Sequence, residues 1–156
     1  MGASTLPWSG GCRCGELRVV VTEPPLLASA CHCDGCRKMS SSAFSLTLTV
    51  PASGFRVTSG EPVIGGMHGP VARHFFCARC MTWVFTRGEG VEWFVNLRPT
   101  MLDEHRDFAP FVETHTSTRL PWAKTPAVHG FEAFPPLEAY EGLMREYAER
   151  QSAARP

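Results

Sequence analysis

The sequence has no excess of charge of either sign. It contains 15 Lys and Arg residues against 15 Asp and Glu residues, and its formal net charge at pH 7 is +0. Charged residues are also not gathered into runs of one sign, which nucleic acids and anionic membrane surfaces would attract. We therefore expect neither a nucleic acid nor a membrane as a partner.

Long hydrophobic runs are missing as well. No stretch approaches the ~20 apolar residues of a membrane span, and the N-terminal MGASTLPW lacks the basic and apolar regions of a secretion signal. The sequence therefore predicts a soluble, unsecreted, cytoplasmic protein. Its 156 residues suit one domain over residues 1–156, which can bury a core without disulfide bonds.

The sequence does contain seven cysteines, and they fall in tight groups. An odd number cannot all pair as disulfides, and disulfides are rare in the cytosol. Clustered thiols of this kind indicate metal binding or thiol chemistry, with disulfides between some of them as the alternative. The groups are Cys12 and Cys14, then Cys31, Cys33 and Cys36, then Cys77 and Cys80.

The pattern of β-branched and alternating apolar residues predicts a mainly β, antiparallel body with short loops. Predicted strands cover 16–22, 44–50, 56–58, 71–76, 82–86 and 91–97. A short helix is predicted at 34–40, and a C-terminal helix at 137–151, which follows two prolines and consists mostly of good helix formers. Four aromatic residues within the strands are expected in the core: Trp83, Phe85, Trp93 and Phe94.

The first and last cysteine groups are predicted to form one closed site. Cys12 and Cys14 are one residue apart before Gly15, a glycine whose positive φ would let both sulfurs face one ion. Cys77 and Cys80 have the two-residue gap of a zinc knuckle. Four thiolates complete a tetrahedron around Zn²⁺ and leave no position for a substrate, so we expect a structural zinc here.

The segment 31–36 contains the other three cysteines. Three protein ligands commonly leave a fourth zinc position open to water or substrate. Because three thiolates give such a site net negative charge, it favours exchange of a soft sulfur ligand. We expect a second Zn²⁺, a small-molecule thiol as substrate, and catalytic roles for Cys31, Cys33 and Cys36. The alternative is a closed second site whose fourth ligand is one of three histidines: His32, His68 or His74.

In this order, the motifs Gly-Cys-x-Cys-Gly, Cys-His-Cys-x-x-Cys-Arg and Phe-Cys-x-x-Cys resemble the glutathione-dependent formaldehyde-activating enzyme family, also called the Gfa-like or centromere protein V/Gfa domain family. The resemblance covers about residues 8–136, including the stretches 120–122 and 130–132 near its end. It implies a β-tent fold and a carbon–sulfur lyase that adds glutathione to formaldehyde to give S-hydroxymethylglutathione. It also implies a structural zinc on Cys12, Cys14, Cys77 and Cys80, and a substrate-side zinc on Cys31, Cys33 and Cys36.

The chain departs from this family at Met81, because a glycine usually follows the last cysteine. A side chain at this position is expected to change the turn or the wall of the cavity.

Several other side chains are candidates for the site. The carboxylates of a thiol such as glutathione can be bound by cations, although each of the following, taken singly, is more typical of a solvated surface: Arg37, Lys38, Arg73 and Arg119. His32, Asp34 and His74 can transfer a proton, but such residues near a metal segment more often orient its ligands.

Three functions remain open at this point. The first is the lyase, and the second is a noncatalytic zinc scaffold that binds a protein partner. The third is a redox reductase of the methionine sulfoxide type, which needs a metal-free nucleophilic cysteine. The sequence indicates no oligomeric state.

Overall fold

The computed structural model describes residues 5–67 and 69–153, and these residues form a mainly β structure. Two α-helices are present, α1 (Asp34–Ser40) and α2 (Tyr140–Ala153). Short 3-10 helices cover Ala52–Gly54, Pro99–Met101, Thr116–Thr118 and Leu137–Ala139. The strands are β1 (Trp8–Gly11), β2 (Arg18–Val21), β3 (Leu27–Cys31), β4 (Ser45–Pro51), β5 (Phe55–Ser59), β6 (Pro62–Gly65), β7 (Ala72–Cys77), β8 (Trp83–Gly88), β9 (Val91–Leu97), β10 (Val112–Thr114) and β11 (His129–Gly130).

The strands belong to two sheets. The smaller sheet has the order β1-β2-β5, and the larger has the order β11-β10-β3-β4-β9-β8-β7-β6. Neighbouring strands are antiparallel except at β10, which pairs in parallel with β3 and β11. This pairing places residues 112–114 directly beside β3, with Thr114 opposite Cys31.

The core lies between the two sheets. Alternation along β4 and β9 buries Leu48, Val50 and Val95 completely, because successive strand residues point to opposite faces. The smaller sheet contributes Phe55, whose ring centroid lies 5.0 Å from that of Phe85 in the larger sheet. Burial of each such side chain is worth about 1.5–3 kcal/mol, so these contacts hold the sheets together.

The predicted mainly β fold, with antiparallel strands, short helices and a C-terminal helix, is confirmed. The bounds predicted for β9 and α1 are those observed, and the other predicted strands overlap β2, β4, β5, β7 and β8. The helix predicted at 137–151 consists of a 3-10 turn followed by α2. The described residues contain no helix with both the length and the apolar character needed to cross a membrane.

The prediction for the aromatic side chains is right for two of them and wrong for one. Trp83 and Phe85 are buried, and Phe94 is partly buried. Trp93 is 59% exposed. Its pairing explains this difference, because the last residue pair between β4 and β9 is Pro51 with Phe94, and Trp93 lies beyond the end of β4.

Candidate metal centres and the adjoining cavity

The first and last cysteine groups form one four-cysteine cluster. Cys12 and Cys14 lie in the turn between β1 and β2, Cys77 is the last residue of β7, and Cys80 lies in the turn between β7 and β8. The sulfurs of Cys12 and Cys14 are 3.5 Å apart, those of Cys14 and Cys77 are 3.7 Å apart, and all four lie within 4.8 Å of one another. Tetrahedral zinc with Zn–S bonds of about 2.3 Å requires sulfur pairs roughly 3.8 Å apart. The cluster can therefore hold a metal ion, and its donors fit zinc.

Local backbone geometry supports this cluster. Gly15 has φ +79°, as the sequence predicted. The N–H of Leu17 donates to Cys12 Sγ at 3.3 Å. Burial opposes ionisation of Cys12, but this hydrogen bond stabilises its thiolate, and the net pKa of Cys12 is lowered. A thiolate is the form that binds a metal cation.

The turn that contains Cys80 has a left-handed residue. Met81 has φ +55°, and its N–H donates to the carbonyl oxygen of Cys77 at 3.0 Å. Its side chain is 57% exposed and does not line the large cavity described below. Of the two effects expected from a side chain at this position, strain in the turn is therefore present, and a change in the cavity wall is not.

The remaining cysteines form a three-cysteine cluster at the start of α1. Cys31 ends β3, Cys33 is the N-cap of α1, and Cys36 lies in its first turn. The N–H of Cys36 donates to Cys33 Sγ at 3.3 Å, and the three sulfurs lie within 4.8 Å of one another. This cluster can also hold a metal ion. All seven cysteines are thereby used in two clusters, and none remains as the separate nucleophile that a redox reductase needs.

Cys31 and Cys36 have pKa values shifted in opposite directions. The hydrogen bond from Cys36, together with those from Thr114 and Cys33, lowers the pKa of Cys31 to about 5 although burial opposes ionisation. The interaction with Cys31 and burial raise the pKa of Cys36. The lowered pKa of Cys31 favours its thiolate, which is the form that binds a metal cation.

His32 lies between two of these cysteines, but its side chain turns away from them. The ring is fully buried, and its Nε2 lies 2.9 Å from Glu113 Oε1. Glu113 also accepts hydrogen bonds from Arg119 and Thr125, both at 2.9 Å. Burial opposes ionisation of Glu113, but the hydrogen bonds from His32 and Thr125 and the charge of Arg119 leave its pKa lowered. His32 thus ties the cysteine segment to Glu113 in β10, and its ring is not grouped with the three sulfurs.

The other two histidines do not complete the cluster among the described residues. His74 Nδ1 lies 2.9 Å from Thr86 Oγ1, and its ring is not grouped with the three sulfurs. His68 lies outside the described residues. The closed second site that the sequence left open thus has no imidazole ligand in residues 5–67 and 69–153.

A cavity of about 640 Å³ adjoins the three-cysteine cluster. Cys31 and Cys36 line it, whereas no residue of the four-cysteine cluster does. Strands β3, β4, β8 and β9 form one wall, and residues 134–144 of the C-terminal segment form another. The two clusters therefore differ in access, and a small molecule in the cavity can reach only the three-cysteine cluster.

The cationic side chains expected to bind a carboxylate lie elsewhere. Arg37 and Lys38 pair with Asp34, Arg73 pairs with Glu89, and Arg119 pairs with Glu113. None of the four lines the large cavity. Asp34 thus forms ion pairs with two cationic side chains, and none of its contacts indicates a role in proton transfer.

Arg98 lines the cavity, and it was not among the site residues predicted from the sequence. Only 7% of Arg98 is exposed. Its guanidinium carbon lies 4.1 Å from the centre of the Trp83 ring, and its Nη2 donates to the carbonyl oxygen of Asn96 at 3.3 Å. Burial lowers the pKa of Arg98 to about 10, against the opposing influence of Cys36 and Cys31. The only feature of the sequence that could have pointed to Arg98 is its position directly after the strand predicted at 91–97.

Fold and site together define a mainly β protein with two cysteine clusters, each able to hold a metal ion. The model of one protein family, the glutathione-dependent formaldehyde-activating enzymes, matches residues 7–118. The chain belongs to this family, which is named as an enzyme family.

Two further comparisons add little to this assignment. Among solved structures, a crystal structure of a Rhodobacter sphaeroides protein is similar, with 21% sequence identity and a TM-score of 0.49. The match covers 61% of this chain and 87% of that chain. No curated protein matches the sequence.

Proposed function

We propose that this protein is a zinc-dependent carbon–sulfur lyase that acts on a thiol adduct, with glutathione and formaldehyde as candidate reactants. The observation that supports it most directly is the difference in access between the clusters. Cys31 and Cys36 border the cavity of about 640 Å³, and the four-cysteine cluster does not. In this proposal the four-cysteine cluster is structural, and the three-cysteine cluster is the site of reaction.

Cys31, Cys33 and Cys36 would hold the reactive zinc. An ion held by three thiolates keeps a coordination position open and lowers the pKa of a thiol that enters it. The reaction itself is balanced without a redox partner: the thiol sulfur forms a bond to the formaldehyde carbon, the C=O π electrons move to oxygen, and the proton lost by the thiol ends on that oxygen.

The residues around the cluster provide orientation and charge. The hydrogen-bonded group of His32, Glu113 and Arg119 fixes the backbone of the segment that presents the thiolates. The buried guanidinium of Arg98 offsets the net negative charge that three thiolates leave on a zinc site. Such positioning accelerates a reaction between two bound partners.

The test compares wild-type protein with Cys36→Ser, purified without oxygen and loaded with zinc. We expect two zinc ions per wild-type chain and loss of one in the variant by elemental analysis. Added glutathione should perturb the weaker-bound ion, seen as a change in the absorption of the cobalt-substituted protein. Exchange NMR should detect faster formation of S-hydroxymethylglutathione with the wild type.

Ser42→Ala is the matched control, because this exposed serine follows α1 and does not line the large cavity. It should behave as the wild type does. One tightly held zinc ion, insensitive to Cys36→Ser and to glutathione, would refute the proposal and favour the noncatalytic scaffold.

A further inference from the structure

The wall of the large cavity is mainly apolar. Its large apolar lining residues include Trp83, Trp93, Phe94, Phe134, Leu137 and Met144. Trp93, Phe134 and Leu137 are also among the exposed large hydrophobic residues of the protein. A ligand with an apolar body would cover these side chains, and removing their surface from water favours binding.

Several polar groups of the wall already bond to one another. Thr49 Oγ1 donates to Asn96 Oδ1 at 2.8 Å. Thr86 Oγ1 accepts from Trp83 Nε1 at 3.1 Å and lies 2.9 Å from His74 Nδ1. These hydrogen bonds use part of the donor and acceptor capacity of the wall, so they compete with a polar ligand for the same atoms.

Arg98 differs from these groups. It is the one arginine or lysine among the described residues that line the cavity, and the lining contains no aspartate or glutamate. The Nε atom of this buried side chain has no hydrogen-bond acceptor in the described part of the chain. A buried cation that lacks such a partner favours a nearby negative charge, and where the Arg98 side chain lines the cavity it can pair with an anionic group of a ligand.

We propose that the cavity binds a thiol with an apolar, aromatic body and a single anionic group, and that Arg98 holds that group. This inference rests on the proposed function, because the thiol would react at the three-cysteine cluster. Glutathione matches the cavity less well, since it has two carboxylates and an ammonium group. Only one of these charges finds a partner of opposite sign in the wall.

The probe is 4-(mercaptomethyl)benzoate, and its neutral counterpart is 4-methylbenzyl mercaptan. Binding to the zinc-loaded, oxygen-free full chain is measured by isothermal titration calorimetry, with glutathione as the third ligand. A charge-assisted hydrogen bond should make the carboxylate ligand bind about 10- to 100-fold more tightly than the neutral one. It should also bind at least about 10-fold more tightly than glutathione.

Arg98→Met keeps an unbranched apolar stem and removes the charge. In this variant the two benzyl thiols should bind equally, whereas Arg98→Lys should retain part of the difference. If Arg98→Met weakens both thiols by the same factor, Arg98 acts only through the charge of the cluster, and its role as an anion anchor is refuted.

Trp93→Ala tests the apolar part of the inference separately, because Trp93 is mostly exposed and its removal leaves the core intact. Both benzyl thiols should bind several-fold more weakly, and glutathione should be unaffected. If glutathione binds wild-type protein as tightly as the aromatic acid, the inference fails while the proposed function stands. If none of the thiols binds, both fail.

Discussion

The exposed ligand Cys14 allows the contribution of the four-cysteine cluster to stability to be measured. Cys12 and Cys77 are buried in the core, whereas Cys14 is exposed. Cys14→Ser therefore removes a metal ligand without creating a cavity. Any loss of stability in this variant reflects the metal site and not packing.

The size of the effect follows from the energy of metal binding. Structural zinc sites contribute about 10–16 kcal/mol of apparent binding free energy. If this is divided among four thiolates, one ligand contributes roughly 3 kcal/mol. For a chain of this size, 1 kcal/mol shifts Tm by about 2–4 °C, so Cys14→Ser should lower Tm by about 6–12 °C.

Scanning calorimetry of zinc-loaded proteins, with and without a chelator, measures this shift. Arg13→Ser is the matched control, because it changes an exposed neighbour in the same turn and should leave Tm almost unchanged. With excess chelator, wild type and Cys14→Ser should unfold at the same temperature. The reasoning is refuted if Cys14→Ser unfolds with the wild type in zinc, or if the chelator has no effect on either protein.

Three other substitutions have expected effects on stability. Met81→Gly should raise the free energy of unfolding by up to about 1 kcal/mol, because it relieves a left-handed residue, and Met81→Ala should give no gain. Glu113→Ala should cost about 3–5 kcal/mol in urea unfolding, because it leaves the buried His32 and its neighbours without their carboxylate; Glu113→Gln should cost less. Gly10→Ala should be destabilising by at least about 2 kcal/mol, because the new methyl would collide with backbone atoms of residues 101–102.

Each of these has a simple contrary outcome. A gain for Met81→Ala equal to that for Met81→Gly would mean that side-chain exposure matters and backbone strain does not. A neutral Glu113→Ala would show that the network around His32 does not hold the cysteine segment. Gly142→Ala is the control for Gly10→Ala, since nothing obstructs its methyl group in α2, and it should stabilise by about 0.5–1 kcal/mol.

The cysteine clusters could be predicted because their spacing is local and their chemistry is specific. Within all three groups, successive cysteines are separated by only one or two residues, which keeps their sulfurs close together in a turn. β9 could be predicted because seven residues rich in valine and aromatic side chains favour a strand. The short strands β1, β3, β6, β10 and β11 were missed, because they owe their structure to pairing with neighbours and not to their own composition.

The burial of Arg98 and the exposure of Trp93 could not be predicted from the sequence. Arginine is almost always exposed and tryptophan usually buried, and here the two are reversed. The reversal depends on β9 running past the end of β4 and on the C-terminal segment forming the second wall of the cavity. Both arrangements are tertiary, so no local pattern predicts them.

The position of the segment 31–36 along the chain sets an order of assembly. Cys14 and Cys77 lie 63 residues apart in sequence, and the three-cysteine cluster falls between them. A metal ion in the four-cysteine cluster would thus close the intervening chain into a ring that contains the whole segment 31–36. We expect this ring to close before a second ion is held firmly, so that zinc shortage produces chains loaded at the four-cysteine cluster alone.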